Sequence, residues 1–491
     1  MAALMTTYQD FLQRKTQLGG EHGFEPLWMP DGAFDFQKHL IEWNCRKGRS
    51  ADFADCGLGK TLIQLAWAEN VVRKTNGRVL ILTPLAVGAQ TVREGDKFGI
   101  EAERSRDGAL PAAKIVVTNY EKLHLFNSAD FVGMVCDESS ILKNYSGETR
   151  KDVTRFMLKL PYRLLCTATA APNDFVELGT SSEALGELSN SDMLARFFVL
   201  SEKVPHRMQQ IKNEKGADGY KEWQGREGLG NHFGKLSFRV TQNLNKWLIK
   251  GHAKEAYWKW VCSWARACRK PSDLGYDDTT FQLPPMTERH HVVAPLTPPS
   301  GEMFTMPAIG LAAERDERRR TITERCGKVA ELVGHGKPFL IWCHMNAEGD
   351  LLEEMIPNAI QVSGSMEDEE KEESYAAFES GQSLGLICKP KIGAWGLNWQ
   401  HCAHVVSFAS HSYEQYYQGL RRCWRFGQTK PVQSDIVSTT GEAYVQENMV
   451  RKARQADEMF AELVRLMNDE MKVSSKQYKP SKIKQPKWNT K

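Results

Sequence analysis

The stretch Ala54-Asp55-Cys56-Gly57-Leu58-Gly59-Lys60-Thr61 sets the reading of this 491-residue chain. It has the form AxxGxGKT, and Leu62-Ile63-Gln64-Leu65-Ala66-Trp67-Ala68 continues it with helical apolar spacing. A glycine loop that opens a helix lets Gly57 and Gly59 bring backbone N–H groups close to phosphate oxygens, where the helix N-terminus favours negative charge. Lys60 then reaches the terminal phosphates and the Thr61 hydroxyl holds Mg²⁺. By itself the octapeptide also suits a turn before an ordinary helix, so its surroundings carry the decision.

Four short apolar runs follow, at Arg78 to Thr83, Lys114 to Tyr120, Phe131 to Cys136 and Tyr162 to Cys166, alternating with helical stretches. That alternation predicts βαβ units and a parallel sheet, whose ligands sit beyond the carboxyl ends of the strands. The third run ends on Asp137-Glu138. A carboxylate there, opposite a Lys-Thr loop, can hold Mg²⁺ through its water shell. Glu138 is placed to orient or deprotonate an attacking water. Upstream, Phe34 to Trp43 predicts a short amphipathic helix whose Gln37 amide can pair with an adenine edge.

Hydrophobic residues make up 41% of the chain and charged ones 25%, which predicts ordinary buried cores in several domains. No apolar run approaches the roughly 18 residues that span a bilayer, and Met1 to Gly20 lacks a signal-type segment. No membrane partner and a cytoplasmic location are therefore expected. The 11 cysteines never form CxxC, which favours reduced core thiols over disulfides or zinc. Between Ser201 and Lys270 the alternation fades and Lys and Arg outnumber Asp and Glu, with Tyr220, Trp223, Phe233, Phe238 and Trp247 interleaved. This region is expected to be a mostly helical basic insertion that can contact nucleic acid. Tyr257, Trp260, Val261 and Trp264 instead have core spacing.

A proline-rich crossing from Pro271 to Pro299 precedes a second α/β alternation without its own Lys-Thr loop. In it, a helix from Ser412 carries Gln418-Gly419-Leu420-Arg421-Arg422-Cys423-Trp424-Arg425-Phe426-Gly427-Gln428. Arg422 and Arg425, three apart, are expected on one helical face, and guanidinium forks suit phosphate. Beyond Glu470 the chain carries seven lysines and no acid, which predicts a disordered basic tail.

In order, these segments resemble the motifs of the superfamily-two helicases, most closely the Swi/Snf-type DNA translocase branch in its compact phage or bacterial form. Gly57 to Thr61 resembles motif I, with Gln37 at the adenine-reading glutamine, and Thr83-Pro84-Leu85 resembles motif Ia. Asp137-Glu138-Ser139-Ser140 with Leu142-Lys143-Asn144 resembles the DEAH-x-LKN form of motif II, with Ser139-Ser140 where the pattern has Ala-His. Thr167-Ala168-Thr169-Ala170 resembles motif III, Gly393 to Asn398 motif V, and Gln418 to Gln428 the QxxxRxxRxGQ motif VI. The likeness spans roughly residues 34 to 450.

The resemblance implies two tandem RecA-like P-loop NTPase lobes with parallel sheets. It implies an ATP site of Gln37, Gly57, Gly59, Lys60, Thr61 and Gln418, with Thr61 and Asp137 on Mg²⁺. Lys60, Glu138, Arg422 and Arg425 would be catalytic, with Thr167 and Thr169 coupling nucleotide state to DNA grip. The expected division is an N-terminal extension (1–33), lobe 1 (34–200), the basic insertion (201–285), a linker (286–325), lobe 2 (326–468) and the lysine-rich tail (469–491). The implied activity is ATP hydrolysis driving translocation on DNA, double-stranded favoured over single-stranded. A strand-separating DNA or RNA helicase is the first alternative, and a nucleotide-gated DNA-binding module with little turnover the second.

Overall fold

The computed structural model describes residues 21–143, 147–171, 174–202, 245–295, 311–393 and 397–474. The first lobe runs α1 (Asp35–Lys47), β1 (Arg49–Ala54), α2 (Lys60–Thr75), β2 (Arg78–Thr83), α3 (Gly88–Lys97), β3 (Ala102–Arg104), β4 (Ile115–Asn119), β5 (Phe131–Asp137), α4 (Glu148–Met157) and β6 (Tyr162–Cys166). It continues through α5 (Leu178–Leu185), α6 (Asn190–Phe197), β7 (Phe198–Glu202), β8 (Asn245–Ile249), α7 (Lys254–Trp264) and β9 (Ala265–Cys268). The second lobe holds β10 (Met286–Val293), α8 (Leu311–Arg320), α9 (Ile322–Val333), β11 (Phe339–Trp342), α10 (Asn346–Met355), β12 (Ala359–Val362) and α11 (Asp368–Glu379). It ends with β13 (Gly385–Cys388), α12 (Pro390–Gly393), β14 (His404–Phe408), α13 (Tyr413–Leu420), β15 (Val432–Thr439) and α14 (Ala443–Ser474).

Seven parallel strands in the order β3-β4-β2-β5-β6-β1-β9 form one sheet, and six in the order β10-β15-β14-β11-β13-β12 form the other. The fold is thus α/β with two parallel sheets, as expected. Helices cover the sheet faces, which is why β5 reads as a continuous apolar run rather than an alternation. The strand β1 lies between β6 and β9, with Ala51 opposite both Leu165 and Ala265. All 11 cysteines are buried.

Three boundaries drawn from the sequence fall inside packed structure. Residues 245–268, expected within a helical insertion, complete the first lobe: β8 pairs with β7, the aromatics of α7 enter the core, and β9 forms the sheet edge. The run Ala265-Arg266-Ala267-Cys268 is too short and mixed to announce a strand, and an edge strand needs only one partner. Tyr220, Trp223, Phe233 and Phe238 lie outside the described residues. Within the expected linker, β10 pairs with β15 over eight residues and forms the other sheet's edge, largely exposed.

The third shift concerns α14. Its start packs Val445 and Met449 against Ala409 and Ile436 of the second lobe. Its later stripe of Met459, Phe460, Leu463, Leu466 and Met467 enters the first lobe's core. Ion pairs from Arg269 to Asp457 (2.8 Å) and Lys254 to Glu462 (2.9 Å) flank that stripe. One helix therefore ties both lobes, and it continues past the expected start of the tail to Ser474. Residues 475–491 lie outside the described residues. The extension is also partly packed, since the Phe24 N–H donates to the Cys45 carbonyl at 2.9 Å.

Candidate active site

The glycine loop leaves the carboxyl end of β1, and the Asp55 N–H donates to the Cys268 carbonyl of β9 (2.8 Å). Gly57 and Gly59 take φ of 90° and 78°, a region open to glycine at little cost. A Cβ on Gly59 would lie 2.3 Å from Gln37 Nε2, and one on Gly57 would lie 3.0 Å from the Phe426 nitrogen of the second lobe. Both glycines are thus fixed by close approach as well as by backbone angle. Gly59 caps α2 without any side-chain hydrogen bond, so the first N–H groups of that helix are left for a ligand. Lys60 Nζ folds over the loop to the Ala54 and Asp55 carbonyls at 2.9 and 3.1 Å, and Thr61 follows on the first turn. Gln37 is buried beneath the loop. Its Nε2 donates to the Leu58 carbonyl (2.9 Å) and its Oε1 accepts from the Phe34 N–H (3.0 Å), so the amide braces the loop.

Asp137 and Glu138 leave the end of β5 facing this loop. Asp137 Oδ1 accepts from Gln64 Nε2 of α2 at 2.7 Å, and burial raises the carboxyl's pKa. Glu138 is one of two described non-glycine residues with positive φ, at 57°. Such a conformation costs on the order of 1–3 kcal/mol and persists where surrounding bonds over-determine it. Those bonds converge on one oxygen. Glu138 Oε1 accepts from Thr167 Oγ1 (2.5 Å), Ser140 Oγ (2.9 Å) and Gln418 Nε2 (3.1 Å). Ser140 therefore holds the carboxylate directly.

Gln418 comes from the second lobe and also donates to Thr169 Oγ1 at 3.0 Å. Thr169 Oγ1 in turn donates to Glu414 Oε1 (3.3 Å), and Glu414 pairs with Lys143. The acid pair, Thr167, Thr169 and the helix α13 thus share one hydrogen-bonded seam across the lobes.

The helix α13 is capped by Ser412, whose Oγ accepts from the Gln415 N–H (3.3 Å), and it ends at Leu420. Arg422 and Arg425 consequently stand in the turn beyond the helix, not on a helical face as the spacing suggested. Bonds from elsewhere in the lobe define that turn. The Trp399 N–H donates to the Arg422 carbonyl (2.9 Å), and Trp424 Nε1 donates to the Pro284 carbonyl (2.9 Å). Arg422 Nε donates to the Gln418 carbonyl (2.9 Å) and its Nη1 to the Leu397 carbonyl (3.2 Å), while Arg425 bonds Asn398. Residues 394–396 lie outside the described residues.

These groups line one cleft between the lobes: Gly57, Gly59, Lys60 and Thr61 on one wall, Asp137 and Glu138 at its base, Arg422 and Arg425 opposite. Burial, then the charge of Arg422, weakens Arg425's hold on its proton. Among the described residues no carboxylate forms an ion pair with Lys60, Arg422 or Arg425, so the cleft carries positive charge that an anion would compensate. Thr61 and Asp137 supply the hard oxygens that Mg²⁺ selects. The residues fit a magnesium nucleotide.

Sequence reasoning passed over Asp55, Tyr417 and Arg421, which also join the lobes. The one available signal was the i, i+4 spacing of Tyr417 and Arg421.

Residues 324–427 match the family described as the helicase conserved C-terminal domain. The match covers most of the second lobe and ends within the arginine turn. It supports a nucleic-acid-dependent ATPase of the helicase or translocase kind. No curated protein matches the chain. No described helix is long and apolar enough to cross a membrane.

Proposed function

We propose that this chain is a nucleic-acid-stimulated ATPase of the Swi/Snf-like kind that translocates on DNA, double-stranded DNA favoured. The observation that carries the reading is Glu138, oriented by donors from both lobes in a cleft between a Lys-Thr loop and two arginines. The loop N–H groups and Lys60 bind the phosphates of ATP, and Gln37 holds the loop in shape. Thr61 and Asp137 would hold Mg²⁺, which would offset negative charge on the phosphates. With Oε1 occupied by three donors, Glu138 presents Oε2 to the attacking water and takes its proton. The water oxygen bonds to the terminal phosphorus as the bridging oxygen leaves with ADP. Arg422 and Arg425, the latter as the finger, stabilise charge on the transferring group.

Because Gln418 touches both Glu138 and Thr169, loss of the terminal phosphate is felt by the seam joining the lobes. Repeated opening and closing is what a motor needs to step along a strand. The duplex preference is supported by resemblance in the acid-pair segment and the arginine turn.

The test is ATP hydrolysis with duplex DNA, single-stranded DNA and RNA, followed by triplex displacement and fork unwinding. Duplex-stimulated hydrolysis with triplex displacement and no unwinding is expected. Fork unwinding would move the chain to the strand-separating class, and hydrolysis indifferent to nucleic acid would sink both motor readings.

A further inference from the structure

The glycine loop and the arginine turn meet in a second contact that the hydrolysis chemistry does not use. Asp55 is 5% exposed and directly precedes Cys56 and Gly57. Both its carboxylate oxygens accept from the Tyr417 hydroxyl at 2.9 Å, and Oδ2 also accepts from Arg421 Nη2 at 2.9 Å. Oδ1 further accepts from the Cys56 N–H at 2.7 Å. The same Nη2 of Arg421 donates to the Cys56 carbonyl at 2.6 Å, and the guanidinium lies 5.2 Å from the Trp424 ring centre. Arg421 is 4% exposed and is absent from the cleft lining, where its neighbour Arg422 stands.

Two buried charges lose hydration, and only close geometry with further hydrogen bonds offsets that loss. Here the carboxylate has three donors and the guanidinium a second acceptor. The rim pair of Arg106 with Glu369 differs, with side chains 50% and 70% exposed, and such surface pairs contribute little. The position of the buried pair is also specific. Asp55 lies five residues before Lys60, and Arg421 directly precedes Arg422. Joining them sets the loop and the catalytic arginines in register across the cleft.

We propose that Asp55, Tyr417 and Arg421 form an ionic latch that docks the second lobe on the phosphate loop, and that Arg421 is a positioning residue for hydrolysis. The latch rests on the ATPase reading above: Arg421 acts through the loop backbone and through the placement of Arg422 and Arg425, without touching the nucleotide.

The test compares the full-length wild type with D55N, R421M, the double variant and R421K. The readouts are kcat and KM for ATP in the presence of DNA, and the interlobe distance between labels at L110C and M355C without nucleotide. Both label sites are exposed, on opposite lobes, and every native cysteine is buried. D55N and R421M are expected to lower kcat by a similar factor, on the order of tenfold or more, while KM changes less. The double variant should be no worse than either single one, because both remove one coupled contact. All three should lengthen the interlobe distance, and R421K should recover part of both readouts. A far larger loss in R421M than in D55N would assign Arg421 to the phosphates and overturn the latch. An unchanged distance in every variant would also overturn it. A wild type without ATPase activity would defeat the functional reading alone, since the distance still tests the contact.

Discussion

In each lobe a parallel strand feeds a helix, but the two helix N-termini are finished in opposite ways. In the first lobe β1 passes through the glycine loop to α2, whose start has no side-chain cap. In the second, β11 passes through Cys343-His344-Met345 to α10, and there Glu348 fills the terminus. Glu348 Oε2 accepts the N–H groups of His344 (2.8 Å) and Met345 (3.0 Å). Its Oε1 pairs with Arg325 at 2.6 Å, both side chains fully buried. Burial also lowers the His344 pKa to about 4, so that ring is neutral around pH 7. The protein supplies its own anion in one lobe and leaves the place open to a ligand in the other. The same architecture therefore has one helix start chemically suited to phosphate and one closed by its own carboxylate.

Several changes would break or sharpen that contrast. The largest effect is expected for Glu138→Gln, which should cut kcat by about 10²–10⁴ while ATP binding persists. Unchanged turnover would remove Glu138 as the base. Next, Glu348→Leu leaves Arg325 buried without its partner and uncaps α10, a loss of about 3–5 kcal/mol by denaturant titration. A near-neutral result would mean the second terminus does not need its anion. Arg425→Ala should lower kcat by on the order of 10²-fold with a smaller change in ATP affinity. The reverse split would reassign Arg425 to ground-state binding.

The smallest effect concerns the strands themselves. Where β11 is wholly apolar, β1 carries Asp52, fully buried with both carboxyl oxygens unpartnered. Burial raises its pKa from 3.8 to about 7, with Lys60 opposing. The folded state thus holds the proton more tightly than the unfolded chain. Stability from the protonated form is full below about pH 4 and is lost as pH rises to about 7. Relative to wild type, Asp52→Asn should therefore gain stability as pH rises across that window and then level off. A pH-independent difference in melting would show that the carboxylate stays ionised against Lys60.

The sequence by itself determined the α/β class, the loop at Gly57 to Thr61, the acid pair at Asp137-Glu138 and the arginines near Gln418. Each is local: consecutive residues whose chemistry and backbone demands travel together, attached to apolar runs that only a covered parallel strand accepts. Only tertiary structure decided that β9 and β10 are sheet edges, since one-sided pairing leaves little apolar signature. It alone placed α14 across both lobes, because an amphipathic stripe states that a face is buried and not against what. It ended α13 at Leu420 through bonds from Trp399 and Pro284, distant in sequence. Most of all, it gave Asp55 a partner 366 residues away in Arg421. The value of a charge depends on what lies within a few ångströms of it, and that distance is set by the closing of two lobes.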